Sequence, residues 1–385
     1  MKLLRVIHSL NAHGGGPSEG IRLITPLLKK YDVHTTVVSL DSPDSVCLQD
    51  QPFIAHGLGP GFTGYGFRLG LSQQIRDLAL RHDAVIIHGL WQYHAFATWL
   101  ALYSTQIPYF VYPHGMLDPW FKRAYPLKHL KKLLYWPIAD YRVLRDAQAV
   151  LFTTESERLL ARESFPCYQV REKVVGYGAS LPPSSSSSHL HAFYTRFPQL
   201  RHQRLLLFLG RIHPKKGLDL LLVAFSRVAF ADPLLHLVVA GPDTVGLQQS
   251  LEKLANLLGI SNRITWTGML SGDVKWGAYR AAELFCLPSH QENFGIVVAE
   301  ALATGTPVMV ATPVNVSQDV YDYSAGLVHP DTEAGTCSAL HSWVSMSKDQ
   351  QSLFSRNAKR LFDAKYNLSA IAYTLLQSLQ PKFTI

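Results

Sequence analysis

Cysteine is scarce, and nothing pairs it. The 385 residues hold four, Cys47, Cys167, Cys286 and Cys337, far apart in the chain and forming no Cys-x-x-Cys pair. That argues against a disulfide framework or a cysteine zinc site and fits a reducing cytosol. Long hydrophobic runs are missing too: no stretch approaches the roughly 18–20 apolar residues that cross a bilayer. The opening Met1–His8 is too briefly apolar for a signal peptide and reads as a first strand. There is no Gly-Lys-Ser/Thr of an ATP-hydrolysing loop. No Asp-x-Asp triplet occurs, and no His/Asp cluster suggests an octahedral cation site, so the expectation is a protein without a metal. Charged residues are 17% against 47% hydrophobic, which excludes a largely disordered chain.

What is there suits two ordinary domains. Short apolar, β-branched runs alternate with helical patterns. Strands are expected at Leu3–Ile7, Val33–Ser39, Ala84–Ile87, Tyr109–Tyr112, Ala149–Thr153 and Val174–Val175. A second set follows at Leu205–Leu209, His236–Ala240, Ile264–Thr267, Leu284–Leu287, Thr306–Val310 and Gly326–Val328. Near-continuous apolar runs are what a strand buried on both faces requires, so parallel sheets flanked by helices are expected. Between the sets, Leu181-Pro182-Pro183 and five serines, Ser184–Ser188, read as a spacer. The expected division is 1–183, a linker region 184–204, a second domain 205–365, and a terminal segment 366–385 whose helix is able to dock back on the first domain. The fold class is α/β, two doubly wound sheets, with ligands beyond the carboxyl ends of the strands and in a cleft between the domains.

Four motifs follow strands. His13-Gly14-Gly15-Gly16-Pro17 lets backbone approach a ligand closely, although Ser18 and Glu19 break the spacing of a dinucleotide-binding loop. Gly210-Arg211-Ile212-His213-Pro214-Lys215-Lys216-Gly217 sets three cations between a strand end and a helix start, the arrangement that grips a diphosphate. Pro288-Ser289-His290-Gln291-Glu292-Asn293-Phe294-Gly295 aims backbone N–H groups of Asn293, Phe294 and Gly295 at an anion. Glu300 comes seven intervening residues after Glu292, inside an apolar helix, where a carboxylate needs a partner; it is placed to accept from a ribose diol. Tyr112-Pro113-His114-Gly115 places a histidine at a strand's carboxyl end, suited to a sugar hydroxyl.

Together these residues resemble the family 4 (group 1) retaining glycosyltransferases of the GT-B fold. Gly210-Arg211…Lys216-Gly217 is similar to that family's diphosphate motif, and Glu292…Glu300 to its paired-glutamate signature. Gly14–Gly16 and His114-Gly115 are similar to its first-domain landmarks. The resemblance is strongest from about 205 to 330. It implies that Arg211 and Lys216 neutralise the diphosphate of a nucleotide-sugar donor and that Glu300 binds the ribose. It implies that Glu292 and the Asn293–Gly295 backbone hold the sugar and phosphate, and that His114 contacts the sugar near the reacting carbon. Gly15 and Gly16 would allow close approach, and the loops at Gly241 and Met269 would meet the base. The activity implied is hexosyl transfer to a glycan or lipid-linked acceptor, in polysaccharide biosynthesis, with no metal and no permanently bound cofactor.

Net charge is +8, which favours anionic partners. Leu127, Leu130, Leu134 and Lys128, Lys131, Lys132 separate onto two faces of one helix. Such a helix either lies on an anionic membrane at its inner, cytoplasmic face or packs its leucines on its own domain. A sugar-nucleotide epimerase on the same fold is the competing enzyme. A nucleic-acid-binding protein is the non-enzyme alternative, disfavoured because the cations sit in discrete loops.

Overall fold

The structure is a computed structural model and describes residues 1–11, 16–182 and 186–379. The chain divides into two compact units, one of Met1–Gly178 with the segment from Leu368, the other of Ala179–Asn367.

The first unit is built on seven parallel strands: β1 (Lys2–Ile7), β2 (His34–Ser39), β3 (Ile54–Gly57), β4 (Ala84–His88), β5 (Tyr109–Tyr112), β6 (Ala149–Phe152) and β7 (Glu172–Val174). Their order is β3-β2-β1-β4-β5-β6-β7, so the winding reverses between β1 and β4. All five residues of β4 and all four of β5 are buried, as central strands covered on both faces must be. Successive side chains alternate between the faces. Leu4, Val6, Val85, Ile87 and Val111 enter one core, and Leu3, Ile86, Phe110 and Leu151 the other. That second face is roofed by Ile24 and Leu28 of the helix Gly16–Lys29 and by Ile371 and Leu375 of the terminal helix Leu368–Leu379.

The second unit has six parallel strands: β8 (Arg204–Leu209), β9 (Leu235–Ala240), β10 (Ile264–Gly268), β11 (Ala282–Leu287), β12 (Val308–Ala311) and β13 (Gly326–His329). Their order is β10-β9-β8-β11-β12-β13, and the reversal lies between β8 and β11. The loops after those two central strands are the two that carry the cations and Glu292.

Two features depart from the sequence reading. Strand β3 was not expected, because Ile54 and His56 are exposed on an edge strand that has no continuous apolar run. The region 184–204, expected as a linker, holds the helix Ser186–Arg196, with the last serines of the run forming its first turn. Buried His189 and Phe193 give it an anchored face: at Gly277 of the helix Gly272–Ala281, a Cβ would lie 2.1 Å from the His189 carbonyl oxygen. Serine is a good helix starter when apolar residues downstream supply the packing.

Candidate active site

In the second unit the chain turns sharply out of β8 through Gly210 and Arg211 and closes a short 3₁₀ turn, Pro214–Lys216, before the helix Leu218–Ala229. Gly217 joins them in the left-handed region, φ 63°, and a Cβ there would lie 2.1 Å from the Pro288 carbonyl oxygen. Only glycine fits that approach. The His290 N–H donates to the Lys215 carbonyl at 2.9 Å, a backbone hydrogen bond that ties the same loops together where Gly217 lets them touch.

These contacts bring Lys216 onto Glu292, whose carboxylate accepts a hydrogen bond from the ammonium. Burial works against the Glu292 charge. Lys216 first, then Lys215 and Arg211, outweigh it, and the carboxyl group is held below the ordinary glutamate range. Glu292 therefore stays ionised at neutral pH. Its backbone is fixed as well: the Asn315 N–H donates to the Glu292 carbonyl at 3.0 Å, and Asn315 Nδ2 donates to Asn293 Oδ1 at 3.3 Å. Arg211 is exposed and makes no ion pair among the described residues.

Gly295, φ 70°, is the N-cap of the helix Ile296–Ala303, and buried Phe294 packs edge-on against Tyr366 at 5.4 Å. Glu300 is 9% exposed on that helix. Its two oxygens accept from Lys275 Nζ at 2.8 Å and Tyr279 Oη at 2.9 Å, both from the helix Gly272–Ala281. The partner that an acid in an apolar helix demands is thus supplied four residues apart on one helix face. Sequence reasoning missed Lys275 and Tyr279, although that i, i+4 spacing beside Trp276 was a usable signal.

Gly241 closes the neighbouring loop. With φ 141° and a Cβ position 1.8 Å from the Gly210 carbonyl oxygen, it lets the ends of β9 and β8 meet. The Gly241 N–H donates to the Gly268 carbonyl at 2.8 Å, so the loop after β10 joins them, and Met269 beside it is 69% exposed. Gly210, Lys216, Gly241, Glu292 and Gly295 are thereby gathered at the strand ends of one sheet.

In the first unit, His114 stands two residues beyond β5 with φ 52°, in the left-handed region unusual for a side-chain-bearing residue. Its loop is pinned by buried Glu157, whose carboxylate accepts from the Gly115 N–H at 2.6 Å and from Thr153 N and Oγ1 at 2.8 and 2.6 Å. Burial, with Arg5 adding to it, lowers the His114 pKa to about 3, so the ring is neutral. The ring lies beside His88 and Tyr112, near-parallel to both, with centroids 5.2 and 5.3 Å away. Glu157, His88 and Arg5 went unremarked in the sequence, since each looks like an ordinary member of its helix or strand. Gly16 begins the helix Gly16–Lys29, and its carbonyl accepts from Tyr177 Oη at 2.8 Å. Gly15 lies outside the described residues.

Beyond β5, the helix Pro126–Tyr135 turns His129, Lys132 and Leu133 inward and its other three leucines outward. Leu127, Leu130 and Leu134 are 78%, 56% and 71% exposed. The reading in which they pack on their own domain is corrected. Lys132 instead covers the Trp91 ring at 4.4 Å. No helix among the described residues is long and apolar enough to cross a membrane.

Comparisons with known proteins bear on the family and the fold. Residues 196–361 match the family model of "Glycosyl transferases group 1", and residues 15–178 that of a "Glycosyl transferase 4-like domain". A D-inositol 3-phosphate glycosyltransferase of Nocardia farcinica is 33% identical over 196 residues, 50% of this chain and 43% of that protein. Its counterpart in Geodermatophilus obscurus is 29% identical over 328 residues, 77% of this chain and 69% of that one. The chain thus aligns with less than half the length of the first of these relatives. Among solved structures, Anabaena Alr3699/HepE in complex with UDP superposes with a TM-score of 0.79 at 18% identity, covering 98% of this chain and 99% of that one. Sucrose-phosphate synthase from Thermosynechococcus elongatus gives 0.77 at 17%, covering 98% and 97%. With both halves matched in this way, the chain belongs to the group 1, family 4-like glycosyltransferases and has the GT-B fold.

Proposed function

We propose that this chain is a retaining hexosyltransferase that takes its sugar from a nucleoside-diphosphate donor and passes it to a glycan or lipid-linked acceptor. The observation carrying this reading is the Lys216–Glu292 pair, held by two loops stitched backbone to backbone. Three cations, Arg211, Lys215 and Lys216, surround one carboxylate that stays ionised. A diphosphate entering there meets a net positive site whose charges are already positioned. As the sugar–phosphate bond breaks, negative charge grows on the departing diphosphate, and fixed cations stabilise that state more than the ground state. Lys216 is oriented by Glu292 before substrate arrives, so little reorganisation is needed at the moment of bond cleavage.

Glu300 would hold the ribose hydroxyls. Lys275 and Tyr279 occupy one site on each oxygen, and a carboxylate has about four acceptor positions, so two remain for a diol. The N–H groups of Asn293, Phe294 and Gly295 open the helix Ile296–Ala303 and favour an anion at its start. Gly210 and Gly241 would keep side chains away from the donor, and Gly16 would do the same in the first unit. Met269, exposed beyond β10, would flank the base. His114 would hydrogen-bond the transferred sugar.

Retention follows if the leaving phosphate takes the acceptor's proton on the same face, which requires no protein base and no metal. The exposed Leu127–Leu130–Leu134 stripe, flanked by Lys128 and Lys131, supports a lipid-linked acceptor at the inner face of an anionic membrane, in polysaccharide synthesis. In Alr3699/HepE the bound molecules are UDP, glucose and UDP-glucose, which makes UDP-hexoses the first donors to try.

The test is turnover of UDP-, GDP- and ADP-hexoses by the purified chain in excess EDTA, with product anomers read by NMR. Slow release of sugar without acceptor and an unchanged anomeric configuration with one are expected. Interconversion of the donor sugar alone would make the protein an epimerase. Complete loss in EDTA that a divalent metal restores would overturn the metal-free charge argument.

A further inference from the structure

We infer that Arg5 and His88 are positioning residues that fix the tautomer of His114, so that His114 meets its ligand as a hydrogen-bond donor through Nδ1–H. Arg5 is the unexpected residue. It lies in the middle of β1, 2% exposed, on the face that Leu3 shares with the two roofing helices. A small cavity there is lined by Arg5, His88, Tyr112, Tyr177, Ile21 and Ile371. No carboxylate pairs with Arg5 among the described residues, and its Nε and Nη2 have no hydrogen-bond partner. Burial lowers its pKa to about 10, with Tyr112 and Tyr177 working the other way, so it stays charged at neutral pH. A buried cation with no counter-charge costs stability, which calls for a return in function.

The return is directional. Arg5 Nη1 lies 3.2 Å from His88 Nε2, and His88 Nδ1 lies 2.9 Å from His114 Nε2. A guanidinium has donors only. His88 Nε2 must therefore accept, which puts the His88 proton on Nδ1. That proton points at His114 Nε2, which must accept in turn, leaving the His114 proton on Nδ1. The reverse assignment would set two donors face to face at 3.2 Å, and burial plus the Arg5 charge keeps both rings neutral. His94, packed behind, does not compete, because its Nε2 faces the His88 carbonyl at 2.9 Å. The His88 and His114 ring planes lie 16° apart with centroids 5.2 Å apart, the near-coplanar placement in which an in-plane N–H reaches the neighbouring ring nitrogen.

His114 is thereby left with one usable position, Nδ1, which has no partner among the described residues. It offers a proton there and no lone pair. The ring can bind a hydroxyl oxygen but cannot serve as a general base, in keeping with a reaction in which the leaving group takes the proton. The role in turnover rests on the glycosyltransferase reading; the tautomer does not.

Ring ¹⁵N resonances of the wild-type protein at pH 7, assigned with His88→Gln and His114→Gln, should show both rings neutral with Nδ1–H. An Nε2–H form or an imidazolium at His114 would overturn the inference, whether or not any variant folds. Arg5→Met should melt no lower than wild type, populate both tautomers of His114, and lower kcat by roughly tenfold, the low end of the loss known for residues that orient metal-ligating histidines. Arg5→Lys, which keeps a donor, should restore the Nδ1–H form. An unchanged tautomer and kcat in Arg5→Met would contradict the relay. The resonances also stand apart from activity: the expected pattern without turnover of any sugar nucleotide would uphold the relay and count only against the proposed reaction.

Discussion

The two units handle charge in opposite ways. In the second, cations sit in loops at the ends of β8 and β11, and Lys216 meets a carboxylate, Glu292, that stays ionised. In the first, Arg5 sits inside a strand, meets the neutral imidazole of His88, and has no carboxylate beside it among the described residues. Charges in loops can be lent to a ligand, because a short turn and a partner hold them until the ligand arrives. Arg5, 2% exposed within its sheet, acts instead on the ring beside it. It can only orient what lies between, and the two histidines are its means.

This contrast breaks most visibly at the loop cations. Arg211→Ala and Lys216→Ala should each lower kcat by on the order of 10²–10³ while the fold survives, since both lie at the rim of the sheet rather than in it. Steady-state kinetics with circular dichroism checks this, and near-wild-type kcat in both would remove the cation loop from the mechanism. Lys216→Ala should also raise the Glu292 pKa, because the strongest effect holding it down disappears while burial remains.

A smaller effect belongs to the helix Pro126–Tyr135. Replacing Leu127, Leu130 and Leu134 together by serine should abolish flotation with anionic vesicles at low salt. The melting temperature should hardly move, as all three side chains already face solvent. Wild-type protein that never floats would remove the membrane from the account.

A last effect sharpens the first unit's side of the contrast, in stability rather than rate. Asp140 is fully buried, and burial raises its pKa to about 7 against the lowering effects of the Trp91 N–H and Lys132. An unfolded aspartate titrates near 3.9. Between those values the folded chain binds the extra proton, so stability falls as pH rises from about 4 to 7, and the full cost is present above 7. Asp140→Asn should therefore stabilise the protein by on the order of 2–4 kcal/mol at pH 8 and by less at pH 5, read by denaturant unfolding. An equal gain at both pH values would show that the carboxylate is not the cause.

The sequence was most readable where one physical demand dominates. In the second unit β8, β9, β11 and β12 are largely apolar runs, and all six strands lie within a few residues of their expected places. The cation loop and the Glu292 loop were legible because glycine and proline mark the strand ends around them. Glu300 announced a need for a partner through its apolar surroundings, and Lys275 and Tyr279 meet it. What stayed hidden depends on three-dimensional neighbours. Arg5 in Leu-Leu-Arg-Val-Ile looks like a strand residue facing water until two helices are seen to cover it. Glu157 looks like a first-turn acid beside its Thr154 cap, yet it pins the Gly115 backbone 42 residues away. The leucine stripe was ambiguous because periodicity separates two faces without saying which one is turned outward.

The central claim is that the cation loop of the second unit grips a nucleoside diphosphate, and thermal unfolding tests it most directly. A ligand that binds only the folded chain raises the melting temperature as RT ln(1 + [L]/Kd). At least one of UDP, GDP or ADP should raise it in the wild-type protein and fail to do so in Arg211→Ala and Lys216→Ala. Equal shifts in wild type and both variants, or none with any of the three nucleotides, would contradict the account.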